Sequence, residues 1–317
     1  MDQMISVDPT IFYCPTKQEL LDESDTIAGH LSSRGYVIVQ AWDAECATVT
    51  EVAERFGRVQ SHIRADANGI VGISPDTAVN HDWENYRSEY HGVSSEEFAP
   101  HTDGSYLHGL VRHGDDYVRL MPPQMLVLQC WQPATSGGAN VLIDVQQIFD
   151  DLAESNPLLL DTLSIKGCVS YCRDDQIALD CAVFEELDDG TVMLRFRYDS
   201  TAYVAGWARD AFHTLQRDYF SDPRYQDRVT LKQGQIAIID NYRMLHGRDS
   251  FAADEPGKTR SMRRVWLARG RLPVLRNAAD QHVERRALKR FQAYSILPPS
   301  PEYAASERPL LGIRLPA

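Results

Sequence analysis

A mainly β fold with covering helices is what this sequence predicts, and three observations carry the expectation. The run "TVMLRFRY" at 191–198 alternates, with Val192, Leu194, Phe196 and Tyr198 on one face and Met193, Arg195 and Arg197 on the other, directly after the hairpin-type turn "DDG". The run "VTLKQGQIAIID" at 229–240 reads as strand, Gln-Gly turn, strand. From about residue 69 onward only two stretches break this pattern with a helical stripe. Many short strands with few helices read as a β-sandwich or barrel decorated with helices.

The elements follow in order. "KQELLDESDTIAGHLSSRG" predicts a helix that stops at Gly35, and "YVIVQ" a short buried strand after it. "DAECATVTEVAERFG" sets Cys46, Val49, Val52 and Phe56 near helical spacing and ends at Gly57. Later, "VQQIFDDL" carries Val145, Ile148, Phe149 and Leu152 behind a potential N-cap at Asp144, and "WARDAFHTLQRDYF" carries Trp207, Ala211, Leu215 and Tyr219. The residues after 270 are Arg-rich and then contain "LPPSPEY" and "ERPLLGIRLPA", read as a helix and a tail on the same domain or on a neighbouring subunit. The expected organisation is one domain over 1–317: helix–strand–helix at 1–68, a β core at 69–267, and the helix and tail at 268–317.

Composition narrows the function classes. The chain has 317 residues, 43% hydrophobic and 24% charged, as in soluble globular proteins. Its net charge of −13, from 32 basic against 45 acidic residues, argues against a nucleic-acid partner, because phosphate-backbone binding needs a basic surface. The opening "MDQMISVDPT" lacks a basic-then-apolar leader, and apolar runs such as "MLVL" at 125–128 are too short to span a bilayer. The expectation is a cytoplasmic protein with a small-molecule substrate and no membrane partner; homo-oligomerisation stays open. The six cysteines show no dense framework, and "CVSYC" lacks a second Cys/His pair at zinc spacing, so they read as reduced thiols.

The chemistry concentrates at "EEFAPHTDGSYLHG", residues 96–109. In an extended segment positions i and i+2 point the same way, so His101 and Asp103 present an imidazole and a carboxylate together. A third ligand candidate is His246 in "GQIAIIDNYRMLHGRDSF", at the end of a predicted strand and just before a glycine. Two imidazoles and one carboxylate on one face bind Fe(II) and leave positions open, the facial triad of non-haem iron oxygenases. Downstream, "KTRSMRRVWLARG" places Arg260 and Arg264 four apart, on one side of a strand, and a guanidinium is the side chain best suited to hold a carboxylate bidentately.

With "HTD" at 101–103, "SGGAN" at 136–140, "LKQGQIAIIDNYRMLHGRDSF" at 231–251 and "RSMRRVWL" at 260–267, the sequence resembles the Fe(II)/2-oxoglutarate-dependent oxygenases of the taurine dioxygenase type, which include γ-butyrobetaine hydroxylase and clavaminate synthase. The resemblance spans roughly residues 95–267, and "DN.R.LHGR..F" is its most specific part. It implies a double-stranded β-helix (jelly roll) with iron held by His101, Asp103 and His246, and 2-oxoglutarate and O₂ as co-substrates. It implies that Arg260 binds the distal carboxylate of 2-oxoglutarate and that Arg264 lies on the inner wall near co-substrate or substrate. Two features depart from the family pattern. Asn140 stands where relatives commonly carry a threonine, and its NH₂ could donate the same hydrogen bond to 2-oxoglutarate. The segment 104–123 is longer, with glycines at 104, 109 and 114, and reads as a lid over the site.

Substrate residues are sought in three places. "NHDWENYRSEYHG" at 80–92 offers Asp82, Trp83, Glu84 and Tyr86, which could read a cationic group. Tyr106 and His108 follow the HxD motif, and Arg195 or Arg197 could meet a substrate carboxylate. The expected function is hydroxylation or desaturation of an unactivated C–H bond in a small amino acid or amino-acid-like metabolite. The alternatives are an oxygenase for a small sulfonate or other organic acid, a jelly-roll metalloenzyme that does not use 2-oxoglutarate, and a non-catalytic jelly-roll binding module.

Overall fold

Apolar runs such as "YVIVQ", "MLVLQC" and "QIAIID" need cover on both faces, because both alternating sets of side chains are apolar. The computed structural model shows that cover, and it describes residues 11–60, 62, 64–75, 94–108, 110–113, 116–119, 121–173, 176–187, 189–252, 259–268 and 312–314. Its strands in chain order are β1 (Ile11–Tyr13), β2 (Tyr36–Gln40), β3 (Arg58–Gln60), β4 (Ile70–Ile73), β5 (Phe98–His101), β6 (Leu110–His113) and β7 (Asp116–Arg119). There follow β8 (Met125–Gln132), β9 (Asn140–Asp144), β10 (Val169–Arg173), β11 (Gln176–Cys181), β12 (Phe184–Glu186), β13 (Thr191–Leu194) and β14 (Ala202–Val204). The last are β15 (Gln226–Val229), β16 (Gln235–Asp240), β17 (Met244–Arg248), β18 (Ser261–Ala268) and β19 (Ile313–Arg314).

A seven-stranded sheet runs β1-β2-β16-β8-β18-β3, with β4 also on β18, and a four-stranded sheet runs β15-β9-β17-β5. Alternation divides the large sheet. Val37, Val39, Val127, Ile236, Ile238, Val265 and Leu267 pack outward on the two N-terminal helices, α1 (Lys17–Arg34) and α2 (Cys46–Phe56). Ile38, Leu126, Leu128, Ala237, Ile239 and Trp266 point the other way, into a second core with Leu142, Ile143 and Leu245 of the four-stranded sheet. The odd-numbered residues of β18 therefore face α2, and Arg264 and Trp266 face the interior. Arg263 illustrates the outer side, donating to the Ala44 carbonyl and stacking 3.8 Å from the Trp131 ring centroid.

Both N-terminal helices form as expected. Thr16 caps α1 by accepting from the Glu19 N–H, and the Gly35 N–H closes it on the Leu31 carbonyl. The helix Val145–Ser155 is capped by Asp144, which accepts from the Gln146 N–H, and buries the predicted Val145, Ile148, Phe149 and Leu152.

Elsewhere the structure corrects the reading. The "TVMLRFRY" strand ends at Leu194, and residues 191–197 are all buried, so it has no polar outer face. It is covered from both sides, and Arg195 and Arg197 are paired internally with Glu185 and Asp199. In 206–220 the buried residues are Ala208, Phe212, Leu215 and Phe220, whereas Trp207 is exposed. The stripe is already one residue on at Ala208 and Phe212, and the wider winding of the π segment Leu215–Phe220 then puts the next buried residue five positions beyond Leu215. Of the two strands read in "VTLKQGQIAIID", the second forms as β16, whereas the first is displaced: β15 ends at Val229, and residues 230–234 carry the chain from the four-stranded sheet to the seven-stranded one. Segment 104–123, read as a lid, contains the β6–β7 hairpin. The expected C-terminal helix lies outside the described residues. Of the tail, Ile313 and Arg314 add a strand to β13, and the Gly312 N–H is held by the Asp240 carboxylate at 2.7 Å. Five described cysteines are free thiols, and no described helix is long and apolar enough to cross a membrane.

Candidate metal centre and neighbouring anion site

His101 closes β5, and Asp103 follows in the turn after it. His246 sits in the middle of β17, not at a strand end, and pairs directly opposite His101 across the antiparallel ladder. Directly paired residues project to the same face, which brings the two rings to a centroid separation of 4.3 Å. The glycine that follows His246 serves this pairing. A Cβ on Gly247 would lie 2.7 Å from the Phe98 carbonyl oxygen and 3.0 Å from the Pro100 nitrogen, so any side chain there would push β5 away.

The Nε2 atoms of His101 and His246 lie 3.6 and 3.8 Å from Asp103 Oδ1, and the three ligand atoms are all within 4.8 Å of one another. His101 directs Nδ1 to the Ala99 carbonyl at 3.0 Å, which leaves Nε2 for the centre. His246 Nδ1 is buried without a hydrogen-bond partner among the described residues. Burial, followed by the positive Arg197 side chain, lowers the His101 pKa. Burial and the neighbouring His101 take His246 down to about 3. For Asp103, burial acts upward, yet Arg264 and the two imidazoles outweigh it and hold the carboxyl well below its ordinary range. Neutral imidazoles beside an ionised carboxylate are the protonation states that a divalent metal requires.

Asp103 is held from several sides. Arg264 Nη1 straddles its carboxylate, 3.1 Å from Oδ1 and 2.8 Å from Oδ2, and Trp266 Nε1–H donates to Oδ2 at 2.8 Å. Its backbone is fixed by Asn241, which accepts from the Asp103 N–H at 2.8 Å and donates to the Asp103 carbonyl at 3.0 Å and the Pro123 carbonyl at 2.7 Å. Arg264 thus lies on the interior wall, with the metal-ligand candidate itself as its described partner. Trp266 and Asn241 received no role from the sequence. Trp266 was within reach of it, since it lies two residues beyond Arg264 on the same strand face.

Arg260 precedes β18 and is buried, with its Nη2 donating to Asn140 Oδ1 at 3.1 Å. Among the described residues it has no carboxylate partner, and burial pulls its pKa down to about 10. Arg248 lies nearby, also pulled down to about 10, by burial and then by Arg260. Both guanidinium groups pack over the Phe251 ring, at 4.8 Å for Arg248 and 5.9 Å for Arg260. The Gly-Gly pair makes room: Gly138 has a φ of 71°, and a Cβ on it would lie 3.1 Å from Arg260 Cδ and 3.2 Å from Phe251 Cβ. Asn140 is held from two sides. Its oxygen accepts from Arg260 and its NH₂ donates to the Val229 carbonyl at 3.1 Å, so it orients the guanidinium.

The remaining candidates fall on different sides of the centre. Arg195 is fully buried, donates to the Ser105 and Leu107 carbonyls at 2.7 and 2.9 Å, and lies 3.5 Å from Glu185. It braces the chain just after the HxD motif, where Tyr106 is buried and His108 half-buried. Arg197 is paired with Asp199 at 2.6 Å and lies over Phe98, whose ring is 4.1 Å from that of His101. Asp82 and Glu84, with Trp83 and Tyr86, lie outside the described residues.

Comparison with known proteins follows the same lines. The profile of the taurine catabolism dioxygenase TauD, TfdA family matches residues 11–266. A uridine-5'-phosphate dioxygenase of Amycolatopsis sp. is 26% identical over 196 residues, covering 58% of this chain and 70% of that protein. Among solved structures, asparagine oxygenase superimposes with a TM-score of 0.58 at 15% identity, covering 79% of this chain and 77% of that one. The non-haem iron oxygenase OrfP, as a mutant in complex with (3S)-hydroxy-L-Arg, gives 0.53 at 15% identity over 79% and 85%.

Proposed function

The chain belongs to the TauD/TfdA dioxygenase family, and from that premise we propose that it oxidises a C–H bond of a small amino acid or amino-acid-like metabolite. It is a non-haem iron, 2-oxoglutarate-dependent dioxygenase. In our reading His101, Asp103 and His246 hold Fe(II), and Arg260, oriented by Asn140, takes the distal carboxylate of 2-oxoglutarate. The observation that carries the reading is the pairing of two sites: a buried His-Asp-His cluster able to hold a metal, and a buried guanidinium with no described carboxylate beside it. The metal, once bound with 2-oxoglutarate and O₂, supplies the oxidising power. The protein's own share is to keep both imidazoles neutral, to keep the Asp103 carboxylate ionised and oriented, and to seat an anion away from water.

We read the whole of 1–317 as one domain, and the seven- and four-stranded sheets as the two faces of a double-stranded β-helix. The amino-acid class is supported by the structural neighbours, one an asparagine oxygenase and one described with hydroxylated arginine. A nucleoside monophosphate is the second reading, favoured by the uridine-5'-phosphate dioxygenase relative. Two measurements test the proposal. Fe(II) and 2-oxoglutarate added without air should give a visible absorption band, and its absence would refute the cofactor assignment. A screen of amino acids, small organic acids and sulfonates, and uridine 5'-phosphate for substrate-stimulated succinate formation should respond to amino acids. Stimulation by the nucleotide alone would replace the first reading by the second.

A further inference from the structure

The two oxygens of Asp103 have different surroundings. Both imidazole Nε2 atoms approach Oδ1, at 3.6 and 3.8 Å. Trp266 Nε1–H donates to Oδ2 alone, at 2.8 Å. Arg264 Nη1 touches both oxygens, 3.1 Å from Oδ1 and 2.8 Å from Oδ2, so it stabilises the charge of the whole carboxylate. Trp266 is therefore the described hydrogen-bond donor that contacts Oδ2 and not Oδ1. Its ring is itself held, buried in the interior core and met edge-on by the His62 ring at a centroid distance of 4.5 Å.

We propose that Trp266 is a positioning residue that keeps Asp103 a one-oxygen ligand, holding Oδ2 back so that the position it would otherwise take stays open to the keto acid. This rests on the reading of His101, Asp103 and His246 as the iron ligands. A carboxylate can bind a metal through one oxygen or chelate it through both, and an indole N–H, a donor with no acceptor function, holds one of them in a hydrogen bond. A side chain bound to the ligand rather than to the metal sets its orientation in this way. The arrangement costs the site some metal affinity and favours co-substrate entry.

The test uses Trp266→Phe in the full chain, which removes the N–H and keeps an aromatic ring. Co(II) serves as a spectroscopically visible substitute for iron and is titrated first, followed by 2-oxoglutarate. We expect Co(II) affinity unchanged or tighter, a Co(II) spectrum altered before any 2-oxoglutarate is added, and 2-oxoglutarate affinity weakened roughly tenfold, as for loss of one hydrogen bond to a charged group. An unaltered spectrum with unaltered 2-oxoglutarate affinity overturns the proposal. So does a parallel loss of both affinities with thermal stability, which marks a packing role. Infrared difference spectra of the wild-type protein on Co(II) binding decide the matter if the variant does not fold. Widely split carboxylate stretches mean one-oxygen ligation and support the proposal; narrowly split ones mean chelation and overturn it. A wild-type chain that binds neither Co(II) nor 2-oxoglutarate refutes the iron-site reading itself, and the role of Trp266 falls with it.

Discussion

Replacing Arg260 by methionine separates an anion site from an ordinary buried arginine, because the two give opposite signs in two measurements. Arg260 is buried, has no carboxylate among the described residues, and makes its hydrogen bond to Asn140 Oδ1. At about 1.4 kcal/mol per pH unit, the drop from the ordinary 12.5 to about 10 places the cost of holding this charge at roughly 3 kcal/mol. Arg260→Met removes that cost and leaves Asn140 Oδ1 without a donor, which costs about 1–3 kcal/mol. The two nearly cancel, so the ligand-free protein should keep its melting temperature within a few degrees. Binding of 2-oxoglutarate should behave otherwise. Truncating one partner of a buried charge pair costs about 2–5 kcal/mol, or roughly thirtyfold or more in affinity at about 1.4 kcal/mol per decade. Calorimetry of 2-oxoglutarate on the metal-loaded protein without air measures the affinity, and a thermal melt with and without 2-oxoglutarate measures the linked stabilisation. Unchanged 2-oxoglutarate affinity, or a large loss of stability in the ligand-free variant, would refute the reasoning and make Arg260 a structural residue.

Alanine at His101, Asp103 or His246 should abolish metal binding in each case, but not at equal cost to the fold. Asp103→Ala strands the buried Arg264 guanidinium and should destabilise by about 3–5 kcal/mol, well beyond either histidine variant; equal denaturation midpoints would count against that ranking. Asn241→Ala removes three hydrogen bonds around Asp103 and Pro123, so metal affinity and stability should fall together; intact metal affinity would show that Asp103 needs no such brace. In the metal-free protein, His246 is neutral down to about 3 whereas the unfolded chain takes up that proton near 6.5. The unfolded state then binds more protons, so stability should fall as pH drops through this window, and further near and below 3.8 as the unfolded Asp103 is protonated. Denaturant melts from about pH 7 to about pH 4 should show this slope, reduced in His246→Gln; an identical slope would mean that His246 is not buried neutral.

The chain makes its local geometry legible. Periodicity and end signals were enough for α1, α2 and the helix at Val145–Ser155 with its Asp144 cap, since each depends on residues within a turn or two. The i, i+2 spacing named His101 and Asp103 as a pair, although Asp103 lies in the turn after β5 and not in an extended run; Arg264 and Trp266 share one face of β18. Motif order named His246 and Arg260, though not their surroundings. Other features were decided by packing between distant segments. His246 faces His101 because β17 and β5 pair in that register, which Gly247 permits by close approach and no local pattern announces. Residues 195–198 lost their predicted strand, and the segment 206–220 its predicted stripe, because packing, and in its second half a π segment, overrode the local period. Asn140 turned its oxygen to Arg260 because the Val229 carbonyl of the adjacent strand took its NH₂. The partners of Asp103 come from 138, 161 and 163 residues away. Sequence by itself determined which chemical groups are available and which face of each strand they occupy, because those depend on covalent spacing. Only the tertiary structure decided which oxygen of Asp103 meets the imidazoles and which meets the indole, because that depends on how two sheets are brought together.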